Sequence, residues 1–496
     1  MNAAAEITAT SSEAASFESP FRNSFICFFR LSIFIFGPFD NDGAPRLLLN
    51  YIAKPAAMQA DKIRTPANVT ITGQLPHAAA SELEKRLQKM YNIKSEADMD
   101  KTEIKKNKEE KRRARVWSAL DRFVRPVIRR KYSVDMERVE AAAPYLLIAN
   151  HAMNLDPFLI GMASPERPLA YVASEHLERL GAITKLLNAA FTIVPRSKAS
   201  SGFGAVRGIL RVLREGKPVV LFAEGDCTWD GVSQPIFPAT GKLAKAARAP
   251  LVIYRIKGNY LSKPRWADRP RSGRIRGEVA QVISPEELDK MSAEDIDRAI
   301  NEGIFVNAWE EQKRAPAAYR CNAPAEGLHK ALFICPECGR MGGMRSHGDK
   351  LCCGFCGAET RMDERGFLHG GKFGAVRDWD CWQRERLGEL LGSDERSGPL
   401  FEGKGELLEI GGGQKKKVRF GLDPAGAAIV LGDETIPFAS VSDIAMVKTD
   451  RLLFTANDRY RELRSKRGVL RPYLMAVKLY NEQNGEVRSP RPGKEG

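Results

Sequence analysis

The sequence predicts an α/β domain, with a mixed sheet flanked by helices, followed by a short cysteine-rich segment and a β-rich C-terminal domain. From Tyr145 onward, short apolar runs alternate with helical patterns, as expected when strands and helices follow one another in a layered fold. Five of the nine cysteines fall between Cys335 and Cys356. After residue 403, strand patterns separated by glycine-containing turns favour a small β domain.

The composition indicates several globular domains and an anionic partner. At about 100–200 residues per domain, the 496 residues allow several domains, and the 43% hydrophobic content supports packed cores. The 77 Lys and Arg residues exceed the 62 Asp and Glu residues, which gives a net charge of +15. This charge suits nucleic acid, an acidic membrane surface or phosphorylated substrates, without choosing among them.

Residues 1–58 are predicted to form an N-terminal extension. The stretch 24–39 is apolar apart from Arg30, but it is shorter than the ~20 apolar residues of a spanning helix. Acidic residues precede it, so a signal peptide fits poorly. Two interpretations stay open: an interfacial anchor, or an upstream extension outside the native protein, in which case the chain starts at Met58.

Residues 59–104 are predicted to be a polar linker or helical segment, and a basic helix then begins the α/β domain, residues 105–330. The apolar positions of this helix, which runs to Lys131, are Val116, Trp117, Leu120, Phe123, Val124 and Val127. A basic amphipathic helix with Trp and Phe can lie among lipid headgroups. The simpler alternative is a helix packed on its own domain with a solvated charged face. Pro126 is expected to kink or end the helix.

The remaining elements of the α/β domain and of the C-terminal domain, residues 373–496, follow from the same patterns. In the α/β domain we predict strands at 145–149, 218–222 and 250–254, helices at 203–215 and 241–248, and helical segments within 285–315. In the C-terminal domain we predict a helix at 378–391 and strands at 406–410, 417–420, 428–431, 452–455 and 473–480. This β-rich arrangement resembles a pleckstrin-homology barrel.

The segment 150–156 carries the first candidate catalytic pair. A predicted strand ends at Ala149, His151 lies just beyond it, and Asp156 begins a helix with Pro157. Because a loop separates the two residues, the carboxylate can turn back towards the imidazole, fix its tautomer and support positive charge on it. His151 could then take a proton from a hydroxyl group. By itself, His-x4-Asp is a weak pattern.

Three further blocks follow in order: 191–196, 221–225 and 249–254. Together the four blocks resemble the glycerolipid acyltransferase family, the lysophosphatidate (1-acylglycerol-3-phosphate) acyltransferases. The resemblance implies acyl transfer from acyl-CoA or acyl carrier protein to a lysophospholipid hydroxyl in phospholipid synthesis, with no metal in the chemical step. It implies that His151 and Asp156 are catalytic, and that Asn150, Arg196, Glu224 and Gly225 bind substrate, Arg196 through the acceptor phosphate.

One block departs from the family pattern. The family reads Phe-Pro-Glu-Gly-Thr-Arg, whereas this chain has Asp226 and Cys227 at the last two positions. Neither side chain can bind phosphate with the planar fork of an arginine. Either Arg196 binds the phosphate, helped by Lys198 or Lys242, or the acceptor is not lysophosphatidate. We expect Cys227 to be a small buried filler.

Residues 331–372 are predicted to be a zinc ribbon. Two C-x2-C pairs supply the four predicted ligands, Cys335, Cys338, Cys353 and Cys356. Cys353 is preferred to Cys352 because it preserves the C-x2-C spacing. Four protein ligands leave no open position, so the zinc is expected to be structural. A ribbon of this kind resembles one appended to some bacterial acyltransferases of the family.

The sequence therefore favours an acyltransferase that is peripherally associated with the cytoplasmic face of a membrane. The clustered cysteines agree with a reducing compartment. A zinc-ribbon nucleic-acid-binding protein would explain the ribbon and the charge, but it leaves residues 145–260 unexplained and lacks a recognisable stacking module. A catalytically inert lipid-binding scaffold is the third possibility. Nucleic acid is thus not the expected partner.

Overall fold

The computed structural model describes residues 34–35, 47–48, 104–105, 107–164, 169–174, 187–196, 203–391, 400–410, 413, 415–423, 427–466 and 469–485. The chain divides into two compact units, Met1–Lys106 and Asn107–Gly496. In the first unit, β1 (Phe34–Ile35) pairs antiparallel with β2 (Leu47–Leu48). The rest of the predicted apolar stretch 24–39, and the predicted linker 59–104 apart from residue 104, lie outside the described residues.

The predicted basic helix is present as α1, residues 107–131, in the second unit. Trp117 is 3% exposed and packs on Phe158 and Phe191, with ring centroids 5.8 and 4.7 Å away. In contrast, Phe123 is 73% exposed and Val127 is 67% exposed. The apolar positions of the helix are therefore divided between a face that packs on the domain and a face that points to solvent.

Pro126 was expected to kink or end this helix; it does not end it, since helical structure continues to residue 131. Ile128 and Tyr132 are buried on the domain, and the amide of Tyr132 donates to the carbonyl of Ile128 at 2.7 Å. Packing of the last turn therefore outweighs the one backbone donor that proline removes.

A seven-stranded sheet forms the centre of the α/β domain. Its strands are β3 (Ser133–Met136), β4 (Leu146–Ala149), β5 (Ala170–Ser174), β6 (Thr192–Arg196), β7 (Val219–Leu221), β8 (Leu251–Lys257) and β9 (Arg274–Ile283). They lie in the order β3-β9-β8-β4-β7-β5-β6, and every neighbouring pair is parallel except β8 and β9. The predicted mixed sheet is confirmed.

Helices cover both faces of this sheet. They are α2 (Asp156–Ala163), α3 (187–190), α4 (Phe203–Arg214), α5 (Thr240–Ala247), α6 (Asn259–Ser262), α7 (Pro285–Lys290), α8 (Ala293–Ile304) and α9 (Ala308–Arg314). On one face Leu147 packs with residues of α1 and α2, and on the other Leu146 and Ile148 pack with α4, α5 and α8. Adjacent residues of β4 thus pack into the hydrophobic cores on opposite faces of the sheet. This explains why the sequence of the strand is a continuous apolar run.

The cysteine-rich segment forms a four-stranded antiparallel sheet, in the order β10 (Met344–His347), β11 (Lys350–Cys353), β12 (Glu359–Met362) and β13 (Leu368–His369). A 3-10 turn at Leu328–Lys330 precedes it, and α10 (Val376–Leu391) follows it. The helix predicted at 378–391 is therefore confirmed.

The C-terminal region is β-rich, as predicted. Its strands are β14 (Phe401–Glu409), β15 (Lys416–Asp423), β16 (Ala428–Leu431), β17 (Glu434–Pro437), β18 (Val441–Val447), β19 (Arg451–Ala456) and β20 (Arg459–Arg464). A 3-10 turn at Phe438–Ser440 lies between β17 and β18, and α11 (Arg471–Gln483) follows β20. The strands form one antiparallel sheet in the order β17-β16-β15-β14-β20-β19-β18. The resemblance to a pleckstrin-homology barrel stays a prediction.

The strand predicted at 473–480 is wrong, because these residues lie in α11. Residues 473–477 are all buried, and a short run that is apolar on every side has no periodicity to separate a strand from a helix. Pro472, in the first turn of α11, is the local signal that favours a helix.

A pair of substitutions on α1 tests the division of its two faces. We expect Trp117→Ala to lower the free energy of unfolding by about 3–5 kcal/mol, because it opens a cavity against Phe158 and Phe191. The matched control Phe123→Ala should change it by less than about 0.5 kcal/mol. Urea unfolding of both variants measures this; equal losses would show that α1 does not pack as described.

Candidate active site

The predicted catalytic residues lie at one edge of the seven-stranded sheet. Asn150 and His151 follow β4, Glu224 follows β7, and Arg196 is the last residue of β6. These three strands run in the same direction, so their carboxyl ends meet at one edge, where open α/β sheets usually bind ligands.

Asp156 lies at the N-terminus of α2 and turns back to His151, as the loop spacing predicted. Its Oδ2 atom is 2.9 Å from the imidazole Nδ1 of His151 and also accepts the amides of Ala152 and Met153 at 2.8 and 2.9 Å. Oδ1 accepts the side-chain amide of Asn259 at 3.0 Å. The carboxylate is fully buried, and these four contacts fix its position. In neutral His151 this bond places the proton on Nδ1, so Nε2 can act as a base.

The predicted contact of Asn150 with substrate stays a prediction, and its side chain makes two hydrogen bonds inside the protein. Its side-chain amide donates to the carbonyl of Ile256 at 2.9 Å and accepts the amide of the same residue at 2.7 Å. The side chain is buried, so both of its polar atoms are used inside the protein. Asn150 thereby extends the pairing of β4 with β8 by one step and fixes the backbone next to His151.

The predicted substrate-binding role of Glu224 stays a prediction, and its observed contacts lie inside the protein. It is buried, and its two carboxylate oxygens accept the backbone amides of His151 and Gln234 at 2.7 and 2.5 Å. Burial raises the pKa of Glu224 to about 8, although both amide donors oppose this rise. The side chain of Glu224 therefore holds the backbone of His151 in place.

Gly225 and Arg196 both lie next to the ring of Phe237. Gly225 has φ of +76°, and a Cβ atom there would lie 2.1 Å from the Phe237 ring, so no other residue fits without movement. The guanidinium carbon of Arg196 lies 3.8 Å from the centroid of the same ring. The sequence-predicted Arg196 is thus brought to the site, whereas Gly225 gives the loop its shape. Lys242 is exposed on α5, and Lys198 lies outside the described residues.

Cys227 is buried, as expected of a small filler. Burial alone would lower the pKa of His151. The neighbouring Cys227 and the hydrogen-bonded carboxylate of Asp156 oppose this effect, and the pKa of His151 is held well above its ordinary value.

The 226–229 loop is held by contacts that the sequence did not predict. Arg265 forms an ion pair with Asp226 at 2.6 Å and donates to the carbonyl of Cys227 at 3.0 Å. The amide of Thr228 donates to the carbonyl of His151 at 3.1 Å, which joins this loop to the catalytic one. Arg265 also donates to the carbonyl of Met446 in β18, at 3.4 Å. These partners are distant in sequence, so no local pattern could have indicated them.

Trp229 at the end of this loop lies against two arginines. Its ring centroid is 4.3 Å from the guanidinium carbon of Arg265 and 4.6 Å from that of Arg471 in α11. Arg471 in turn pairs with Asp380 of α10 at 2.6 Å. The C-terminal region thus contacts the loop that carries Cys227.

The four predicted metal ligands form a second candidate site. The sulfur atoms of Cys335, Cys338, Cys353 and Cys356 all lie within 4.8 Å of one another. Each C-x2-C pair ends in the same turn: the amides of Gly339 and Gly357, both at positive φ, donate to the carbonyls of Cys335 and Cys353 at 2.9 Å. Cys352 is outside the cluster, with its sulfur 3.8 Å from a Glu359 oxygen, so the choice of Cys353 is confirmed.

Part of the α/β domain is similar to known acyltransferases. Residues 131–257 match the family model for acyltransferases, a span that includes His151, Asp156, Arg196 and Cys227. A probable 1-acyl-sn-glycerol-3-phosphate acyltransferase from Mycoplasma pneumoniae is 25% identical over 194 residues, which are 38% of this chain and 71% of that protein. The crystal structure of the 1-acyl-sn-glycerophosphate (LPA) acyltransferase PlsC from Thermotoga maritima aligns with 41% of this chain and 81% of its own, at 18% identity and a TM-score of 0.34.

Proposed function

This chain belongs to the glycerolipid acyltransferase family and is an acyltransferase, and we propose that it transfers a fatty acyl group from acyl-CoA or acyl carrier protein to a lysophospholipid hydroxyl. The acceptor we favour is 1-acylglycerol 3-phosphate, which places the reaction in phospholipid synthesis. The observation that carries the proposal is the bond between His151 and the buried carboxylate of Asp156.

The chemistry follows from this pair. Nε2 of neutral His151 takes the proton of the acceptor hydroxyl as its oxygen attacks the carbonyl carbon of the thioester. Asp156 holds the ring and stabilises the imidazolium that forms. The carbon–sulfur bond then breaks, an ester is formed, and the thiolate that leaves takes the proton from the imidazolium. The raised pKa of His151 means that its basic form becomes more populated as the pH rises.

Replacing His151 tests this function. We expect His151→Ala to lower the rate of acyl transfer from acyl-CoA or acyl carrier protein to 1-acylglycerol 3-phosphate by roughly 10²–10⁴-fold, because the general base is lost. The matched control His347→Ala removes an exposed histidine of β10 and should keep full activity. Turnover is measured by release of the free thiol. If the unaltered protein binds lipid without turnover, it is instead an inert lipid-binding scaffold. If it shows only salt-sensitive binding to nucleic acid, it is instead a zinc-ribbon nucleic-acid-binding protein.

Arg196 is the residue we propose to bind the acceptor phosphate, because it reaches the site edge and Cys227 stands where the family has an arginine. Loss of a charged hydrogen bond costs about 1.5–3 kcal/mol, so Arg196→Ala should raise the KM for 1-acylglycerol 3-phosphate by roughly 10- to 100-fold. The KM for a monoacylglycerol should not change, and neither KM should change in Arg207→Ala, an exposed arginine on α4. An equal effect of Arg196→Ala on both acceptors would contradict a phosphate contact.

We further propose that Cys335, Cys338, Cys353 and Cys356 bind one structural zinc ion. Their convergent sulfur atoms and the repeated turn of the two pairs fit a tetrahedral thiolate site without an open position. The zinc would join the two C-x2-C pairs of the ribbon and take no part in acyl transfer.

Measurement of the zinc content tests whether these four cysteines bind a metal ion. We expect Cys335→Ser to lose the bound zinc and to make the ribbon sensitive to protease, since a structural zinc contributes folding energy. Cys352→Ser is the matched control and should retain zinc, because its sulfur faces Glu359 instead of the cluster. Retention of zinc in Cys335→Ser, measured by atomic emission, would contradict the assignment.

We also propose that α1 docks the protein on the cytoplasmic surface of a membrane. Phe123 and Val127 lie one turn apart and are exposed, together with Arg122 and Arg130. An exposed apolar pair among arginines suits an anionic headgroup layer. Among the helices described here, none is both long and apolar enough to cross a bilayer.

Vesicle binding tests this surface. The double variant Phe123→Ala/Val127→Ala should bind phosphatidylglycerol-containing vesicles about tenfold more weakly, since it removes apolar area that would enter the headgroup layer. Val282→Ala is the control, because Val282 is an exposed apolar residue of β9. Sedimentation with vesicles gives the affinity, and unchanged binding of the double variant would contradict docking through α1.

A further inference from the structure

A cavity of about 790 Å³ lies between the cysteine-rich segment and the C-terminal sheet. One wall comes from residues 341–355, and the other comes from β14, β15 and residues 464–469. The lining residues that the structure describes do not include any residue of the seven-stranded sheet. Small-molecule sites usually have volumes of about 300–1,000 Å³, so this cavity has the size of a ligand site outside the α/β domain.

The two walls of the cavity touch, so its shape is fixed by the fold. Phe401 begins β14 and packs on Tyr473 of α11, with ring centroids 5.9 Å apart. A Cβ atom on Gly342 would lie 2.9 Å from the Phe401 ring, so the backbone of the cysteine-rich segment approaches the sheet closely here. Gly342 has φ of +81°, which a residue without a Cβ atom adopts at little cost.

Cationic side chains outnumber anionic ones around this cavity. The five cations are Arg345, Lys404, Lys417, Arg464 and Lys466, and the two anions are Glu402 and Glu406. Arg464 has a carboxylate oxygen of Asp450 at 3.7 Å. Among the residues that the structure describes, none forms an ion pair with Lys404, Lys417 or Lys466. A cleft lined by an excess of one charge attracts the opposite charge, so the cavity favours an anionic ligand.

The register of β14 with β15 shows where an anion would be held. Lys404 lies opposite Arg419, and Lys417 lies two residues from Arg419 on the same strand, so Lys404 and Lys417 are diagonal neighbours on one face. Diagonal neighbours are about 7–8 Å apart, which a phosphate between two long side chains can bridge. Both lysines are exposed. Lys416 lies on the opposite face of β15, because successive side chains of a strand alternate.

An exposed phenyl ring gives the cavity an apolar surface as well. Phe355 lies in the turn of the second C-x2-C pair and is 52% exposed. Its position is constrained, because a Cβ atom on Gly343 would lie 2.4 Å from the ring. Leu400 and Val469 also line the cavity. Inorganic phosphate would leave these groups in water, whereas a ligand with a hydrocarbon chain would cover them.

We propose that this cavity binds a phospholipid, with its phosphate at Lys404 and Lys417 and a hydrocarbon chain against Phe355. It is a second lipid site, separate from the acceptor site at His151, and it does not depend on the proposed acyl transfer. Nucleic acid fits the lining less well, because a bound single strand stacks its bases on successive aromatic rings. In the described lining, Phe355 is the exposed aromatic residue. A phospholipid uses both the cations and the apolar surface.

Calorimetric titration of the full chain with dihexanoyl phosphatidate, a soluble phospholipid, tests this site. The Arg196→Ala variant serves as the parent, because it lacks the phosphate contact proposed at the active site. In that parent, we expect Lys404→Ala/Lys417→Ala to raise the Kd by roughly tenfold or more, since two charged contacts to phosphate are lost. Lys415→Ala/Lys416→Ala removes the same charge from residues outside the lining and should leave the Kd unchanged.

The apolar contact is tested separately. Phe355→Ala should raise the Kd for dihexanoyl phosphatidate by roughly tenfold and leave the binding of inorganic phosphate unchanged, because only the lipid covers the ring. Inorganic phosphate itself should bind the parent at least about tenfold more weakly than the lipid. The substituted residues of the cavity are exposed, so each variant should unfold at the same temperature as the parent.

Three results would overturn this inference. Equal weakening in the two double variants would mean a general effect of charge. Equal affinity for inorganic phosphate and phosphatidate would exclude a lipid chain from the cavity. Tighter binding of a single-stranded oligonucleotide, lost in Lys404→Ala/Lys417→Ala, would assign the cavity to nucleic acid.

Acyl transfer distinguishes this site from the active site. With Arg196 intact, Lys404→Ala/Lys417→Ala should retain transfer to 1-acylglycerol 3-phosphate while its phosphatidate binding is weakened, which supports a separate site. Absence of transfer in the unaltered protein would contradict the proposed function, whereas the binding measurements alone decide the second lipid site.

Discussion

The carboxylate of Asp156 is fully buried at the edge of the sheet, and the geometry of the active site depends on it. A buried charge is tolerated only when its oxygens are hydrogen-bonded, and here two backbone amides, one side-chain amide and the His151 ring supply the partners. These contacts close the loop between β4 and α2 around the carboxylate. The orientation of His151 therefore follows from the need to satisfy one acidic group.

Further buried polar groups fix the backbone around the same histidine. Asn150 bonds to Ile256 of β8, and Glu224 accepts the amides of His151 and Gln234. Two residues predicted to bind substrate thus hold the backbone of the base, while the guanidinium of Arg196 lies over the ring of Phe237 at the edge of the site.

The C-terminal region is connected to the active site through the 226–229 loop. Arg265 contacts Asp226 and the backbone of Cys227 as well as β18, and Trp229 lies between Arg265 and Arg471 of α11. A change in the C-terminal region that moved Arg471 or β18 would act on the loop that carries Cys227.

Periodicity and spacing in the sequence indicated the strands of the mixed sheet, helices α4, α5 and α10, the four-cysteine cluster and the pair of His151 with Asp156. Each of these has a local pattern in the chain. The same patterns failed at α11, where burial on all sides removes the periodicity, and at Pro126, where packing outweighs a lost donor. Only the tertiary structure decided that Asn150 and Glu224 hold the backbone, that Thr228 bonds to the carbonyl of His151, and that Arg265 joins this loop to β18. Their partners lie tens to hundreds of residues away, so they become neighbours only when the sheet and the C-terminal region have folded.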